Sequence, residues 1–74
     1  MPCYYFDVTE GGQSVIDDDG DDLKDDQQAR TSLRRLLAEQ AARLLQNRDA
    51  GEISVMVRDI TGPCFRAKLS VAVD

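Results

Sequence analysis

The residues best placed to do chemistry in this 74-residue chain are the carboxylates of Asp17-Asp18-Asp19-Gly20-Asp21-Asp22. Clustered oxygen ligands suit a hard cation such as calcium. Asp17, Asp19, Asp21 and Asp22 are therefore the candidate ligands of a weak cation loop. The spacing of an EF-hand is absent. Counted from Asp17, glycine stands fourth rather than sixth, and Gln28 occupies the twelfth position, where a bidentate glutamate is required. A solvated acidic loop that turns the chain into a helix is the simpler expectation.

Other chemistry is thinly supported. The two cysteines, Cys3 and Cys64, lie almost a chain length apart, and there is no histidine. A zinc site of four ligands cannot be assembled from them. They read as reduced thiols in a reducing compartment, with a disulfide between them as the alternative. Cys64 follows Pro63 and, in the strand pairing derived below, lies beside Arg58, a neighbour that lowers a thiol's pKa. Ser14, Ser32, Ser54, Ser70, Thr9, Thr31 and Thr61 have no evident base. Paired carboxylates occur only in the loop, which lacks the rigid positioning that acid–base catalysis needs. No catalytic set, cofactor motif or metal motif of known spacing emerges, and the chain is read as non-enzymatic.

Charge is unevenly distributed. The net charge is −5, yet residues 1–26 hold nine acids and one base, and residues 27–74 hold five acids and eight bases. Arg58, Arg66 and Lys68 near the end of the chain, with Arg30, Arg34, Arg35, Arg43 and Arg48 before them, could meet phosphates, and Tyr5 could stack a base. The acidic total opposes a polyanion at long range. On an exposed edge strand, Arg66 and Lys68 also act as guards against unwanted pairing.

The elements that must carry these residues follow from periodicity. Residues 3–8 are aromatic and apolar, which is strand composition. Gly11-Gly12 signals a turn, and residues 13–16 form a short second strand. A two-residue turn pairs Val8 with Val15; a three-residue loop pairs Phe6 with Ile16. The choice matters, since a one-residue slip exchanges the faces. An acidic loop spans 17–25. Asp25 is the expected N-cap of a helix over 26–47, with Gln28 completing a capping box. Ala29, Leu33, Leu36, Leu37, Ala41, Leu44 and Leu45 make its apolar stripe. Arg35, Glu39 and Arg43 form a charged ladder at four-residue spacing.

Residues 52–59 and 64–73 alternate as strands. Asp59-Ile60-Thr61-Gly62 joins them, with Gly62 in the left-handed position of a bulge. Val57 then faces Phe65, Val55 faces Ala67 and Ile53 faces Leu69. The result is an α+β fold, a single ββαββ domain. Its four-stranded antiparallel sheet has the order 2-1-3-4, and one amphipathic helix covers one face. The order 2-1-4-3 would need a parallel central pair. The right-handed crossover rule fits the first.

The opening Met-Pro-Cys-Tyr-Tyr-Phe-Asp-Val resembles a family of short bacterial proteins whose shared domain has no known function. Gly11-Gly12, Asp19-Gly20 before Leu23 and Asp25, the helix containing Ala29, and Val57-Arg58-Asp59-x-x-Gly62 extend the likeness over the whole chain. The family's third residue is usually basic and here is Cys3. The resemblance implies a fold and no functional residues. At fold level the chain is also similar to antitoxin domains of the HicB type, which set strands before a helix introduced by an acidic turn, although no third strand is legible here before the helix.

A small core and an uncovered sheet face point to self-association. The expected interface is the open face or the edge of the last strand, drawing on Tyr5, Met56, Cys64, Arg66, Lys68 and Ala72. The function expected is a small interaction protein, homodimeric, with an unidentified protein partner. The alternative is a nucleic-acid-associated regulator using the basic helix and hairpin. No apolar run reaches membrane-spanning length, and no secretory leader is visible, so a cytoplasmic location is expected.

Overall fold

A computed structural model describes all residues 1–74. The elements are β1 (Cys3–Glu10), β2 (Gln13–Val15), β3 (Asp21–Asp22), α1 (Asp26–Asn47), β4 (Ala50–Asp59) and β5 (Gly62–Ala72). The sheet runs β2-β1-β4-β5, and β3 also pairs with β1. Every pairing is antiparallel. The expected path through the two hairpins is present, but the sheet has five strands rather than four. The extra strand lies inside what reads as acidic loop.

β2 and β3 lie along the same outer edge of β1. β2 pairs with Val8, Thr9 and Glu10, whereas β3 pairs with Cys3 and Tyr4. The Gly11-Gly12 turn selects the register in which Val8 faces Val15, with Gly11 at φ 62°. In the second hairpin Val57 faces Phe65, Val55 faces Ala67 and Ile53 faces Leu69. Gly62, at φ 122°, closes the turn opposite Asp59. A register shift next to Val57 sets Arg58 opposite Pro63 and leaves Cys64 as the extra residue of a bulge.

The Asp25 side chain accepts the Gln28 N–H at 2.9 Å, which is the expected N-cap. Gln28 reaches back one residue further than a capping box requires and accepts the Lys24 N–H at 2.7 Å. Ala29, Leu33 and Leu44 bury the helix stripe against the sheet. Tyr4, Phe6, Ile53, Val55 and Val57 complete the core. Each large apolar side chain so buried contributes about 1.5–3 kcal/mol. With only eight buried residues this core is small.

Both ends of the helix are tied down. The Tyr4 hydroxyl donates to Asp26 Oδ1 at 2.7 Å. Leu44 lies so close to Gly51 that a Cβ there would stand 2.5 Å from Leu44 Cδ1. The helix rests mainly on β4 and less on β5. It therefore leaves Leu69 36% and Val73 57% exposed on the helix side of the last strand. The ladder of Arg35, Glu39 and Arg43 closes no ion pair; the pairs present are Arg58–Asp7 and Lys68–Glu52. No helix is long and apolar enough to cross a membrane.

Candidate functional site

Two features stand apart from the core: a polar cluster on the open sheet face and the outer edge of β5. The cluster follows from alternation, which turns Tyr5 and Asp7 of β1 away from the helix together with Met56 and Arg58 of β4. Tyr5 faces Arg58 across the strands, and Asp7 faces Met56. The Arg58 guanidinium donates from Nε to Asp7 Oδ2 at 2.8 Å and from Nη2 to the Asp17 carbonyl at 2.8 Å. Its carbon lies 4.5 Å from the Tyr5 ring centroid, a cation–π arrangement.

Asp17 locks the acidic loop onto this cluster. Its N–H donates to Asp7 Oδ1 at 2.9 Å. Its Oδ2 accepts the Phe6 N–H at 3.1 Å, and its Oδ1 accepts from the N–H groups of Asp19 and Gly20, each at 3.1 Å. An aspartate accepting from the residues two and three ahead makes a local turn. Gly20 then packs on the open face: a Cβ there would lie 2.7 Å from Cys3 Sγ and 2.9 Å from Tyr5 Cε2.

The protonation equilibria follow the contacts. The Arg58 hydrogen bond holds the Asp7 carboxyl below the usual range. Burial pushes Asp17 up, but the N–H donors of Gly20, Phe6 and Asp19 outweigh it, so its pKa is also lowered. The hydrogen bond to Asp26 pushes the Tyr4 phenol up to about 12.

The candidate cation ligands are dispersed. Asp17 is engaged by backbone donors, Asp19 is exposed, and Asp21 and Asp22 pair with Tyr4 and Cys3 in β3. No three carboxylates or thiols converge anywhere in the chain. Cys64 also departs from expectation. Because of the bulge, Arg58 faces Pro63 instead. Desolvation of the sulfur and the Asp59 carboxylate raise the Cys64 thiol although the residue as a whole is exposed, so the arginine does not activate it. Both cysteines are free.

The expected interface residues are only partly brought together. Tyr5, Met56, Arg66 and Lys68 share the open face, since Met56 faces Arg66 and Ser54 faces Lys68. Ala72 lies at its far end opposite Ala50. The rows between them hold Asp7, Thr9, Ser54, Arg58, Glu52 and Ser70, so the face is predominantly polar. Basic side chains do not converge: Arg66 and Lys68 are on this face, whereas Arg30 stacks 4.6 Å from the Phe65 ring on the helix face.

The β5 edge is defined by one hydrogen bond. The Val73 N–H donates to the Asp49 carbonyl at 2.6 Å. Alternation in an antiparallel ladder then directs the backbone groups of Phe65, Ala67, Leu69 and Val71 toward β4. Those of Arg66, Lys68, Ser70 and Ala72 point outward, where no strand pairs with them. Arg30 stacks on Phe65 of β5, and helix periodicity sets Leu37, Ala41 and Leu45 on that same flank; Leu37 and Ala41 are half-buried, and Leu45 is 44% exposed.

The polar cluster was not legible as a unit in the sequence; the Asp17-x-Asp19-Gly20 turn was its one local signal. Residues 3–70 match the family model described as Domain of unknown function (DUF6894). No curated protein and no solved structure matches the chain.

Proposed function

We propose that this chain, which belongs to the DUF6894 family, is a small non-enzymatic cytoplasmic interaction module that takes up an added β-strand along β5. The observation that carries this reading is the eleven-residue outermost strand with its row of outward, unpaired backbone groups. Such an edge forms main-chain hydrogen bonds to an extended partner, and the side chains flanking it supply selectivity. The opposite edge of the sheet is blunted. β2 and β3 occupy its two ends, and the Asp17 side chain accepts the Phe6 N–H between them.

The open face is the weaker candidate because it is predominantly polar and two of its cations, Arg58 and Lys68, already pair with Asp7 and Glu52. The nucleic-acid alternative loses support from the division of the basic side chains between two faces.

Selection of extended peptides from a displayed library tests the reading. Enriched peptides should shift the amide resonances of Arg66, Lys68, Ser70 and Ala72. Peptides that instead shift Tyr5 and Met56, or a library that yields no binder, would count against the edge.

A further inference from the structure

The β5 edge carries more than a general affinity for strands, because its side-chain pattern restricts what can pair with it. Resting on the edge-strand reading above, we infer that the occupant is a second copy of this chain, joined through antiparallel β5–β5 pairing about a two-fold axis at Leu69.

The register follows from three constraints. Like faces must stay together, so helix-side residues pair with helix-side residues. This leaves two-folds centred on a single residue of β5. A two-fold at Arg66 or Lys68 sets identical cations opposite each other, and one at Ala67 sets Arg66 against the partner's Lys68. Like charges directly opposite each other destabilise a sheet. A two-fold at Leu69 avoids all of these contacts. It sets Lys68 against the partner's Ser70 and Arg66 against the partner's Ala72. Two-folds further along the strand shorten the overlap, and those nearer its start bring in the bulge at Cys64 and Pro63, which has no N–H to donate.

The same register matches the hydrogen-bonding groups. Arg66, Lys68, Ser70 and Ala72 are the residues whose N–H and C=O point outward, and they become the hydrogen-bonded pairs. On the helix side, Leu69 meets the partner's Leu69, Ala67 meets the partner's Val71, and Phe65 meets the partner's Val73. Leu69 and Val73 are 36% and 57% exposed in the single chain, so this pairing covers apolar surface that the helix leaves bare. Both helices fall on one face of the joined sheet. Their flanks bearing Leu37, Ala41 and the exposed Leu45 then lie toward the two-fold, which extends the apolar strip along its length.

The full chain, with Cys3→Ser and Cys64→Ser to remove native thiols, is suitable for the test. Sedimentation should give twice the 8.2 kDa chain mass, approached at about 100 µM as expected for a micromolar Kd. Leu69→Cys should cross-link to itself on mild oxidation, because non-hydrogen-bonded antiparallel pairs stand about 4.5 Å apart at Cα. Val71→Cys should not, since its pairing partner is Ala67.

Ser70→Lys should weaken association by roughly 3–10-fold through opposition to the partner's Lys68. Within the chain that residue faces Glu52, so folding by circular dichroism should be unaffected. A chain that stays monomeric at about 1 mM, or self-cross-linking at position 71 in place of 69, would overturn the inference. So would a Ser70→Lys protein that associates as tightly as the parent. A monomeric chain whose β5 amides still respond to selected peptides leaves the edge reading standing and removes the second copy alone.

Discussion

Asp17 accepts the backbone N–H of Phe6 at 3.1 Å through its side chain, in the gap between β2 and β3 along the outer edge of β1. One carboxylate thus supplies the acceptor that a continuous neighbouring strand would have supplied. It also accepts from Asp19 and Gly20, so three backbone donors depend on it. Asp17→Ala leaves those donors to find water and should cost about 1–3 kcal/mol in chemical denaturation. Amide exchange at Phe6 should accelerate with it. Asp19→Ala, at an exposed position, should stay within about 0.5 kcal/mol of the parent. Equal effects from the two substitutions would show that Asp17 has no special place.

Acid should weaken the fold through the same cluster. The folded-state pKa values of Asp7 and Asp17 both lie below the ordinary 3.8. A depressed carboxylate contributes stability that is complete above its unfolded value and is lost as pH falls through the folded value. Thermal unfolding midpoints should therefore be flat from about pH 7 to 5 and decline below about pH 4. A protein carrying Asp7→Asn and Asp17→Asn should start lower and show a shallower decline over that interval. An identical acid slope in both proteins would place the sensitivity elsewhere.

Two glycines with similar backbones separate conformational strain from packing. Gly11 and Gly20 have φ of 62° and 72°. A Cβ at Gly11 meets nothing within 4 Å, whereas one at Gly20 would stand 2.7 Å from Cys3 Sγ. Alanine at either position incurs the left-handed penalty of about 1–2 kcal/mol. Gly20→Ala must also displace Cys3 and Tyr5 or lift the loop from the open face. It should be clearly the more destabilising of the two by denaturant titration, and the Tyr5 ring resonances should shift. Comparable losses at the two sites would mean that the loop is not packed on the sheet.

What could be read in advance depended on how locally each feature is determined. The pairing of Val57 with Phe65 was legible because both strands alternate and a four-residue turn links them. The first hairpin left two registers open, since Gly11-Gly12 accepts either loop length and Val15 and Ile16 are both apolar. β3 was hidden because Asp21 and Asp22 have poor strand propensity. The Asp17–Gly20 turn delivers them to Cys3 and Tyr4, and that turn is itself held by long-range contacts. The Arg58–Asp7 pair requires the β1–β4 register, and a 22-residue helix intervenes before β4. An outward-facing arginine was legible there; its partner was not.

The bulge that leaves Cys64 unpaired also sets its reactivity. Alternation alone places that thiol beside Arg58, which would favour the nucleophilic thiolate. In the folded chain, desolvation of the sulfur and the Asp59 carboxylate raise its pKa instead. Cys64 should accordingly be slow to alkylate at neutral pH although it is exposed, because only the thiolate attacks. In a Cys3→Ser background, Asp59→Asn removes the repelling charge while keeping an oxygen to accept the Thr61 N–H. It should lower the pH midpoint of alkylation and raise the rate at pH 7 by a few-fold. A parent midpoint at or below the usual thiol value of about 8.5, unmoved by Asp59→Asn, would restore the arginine as the governing neighbour.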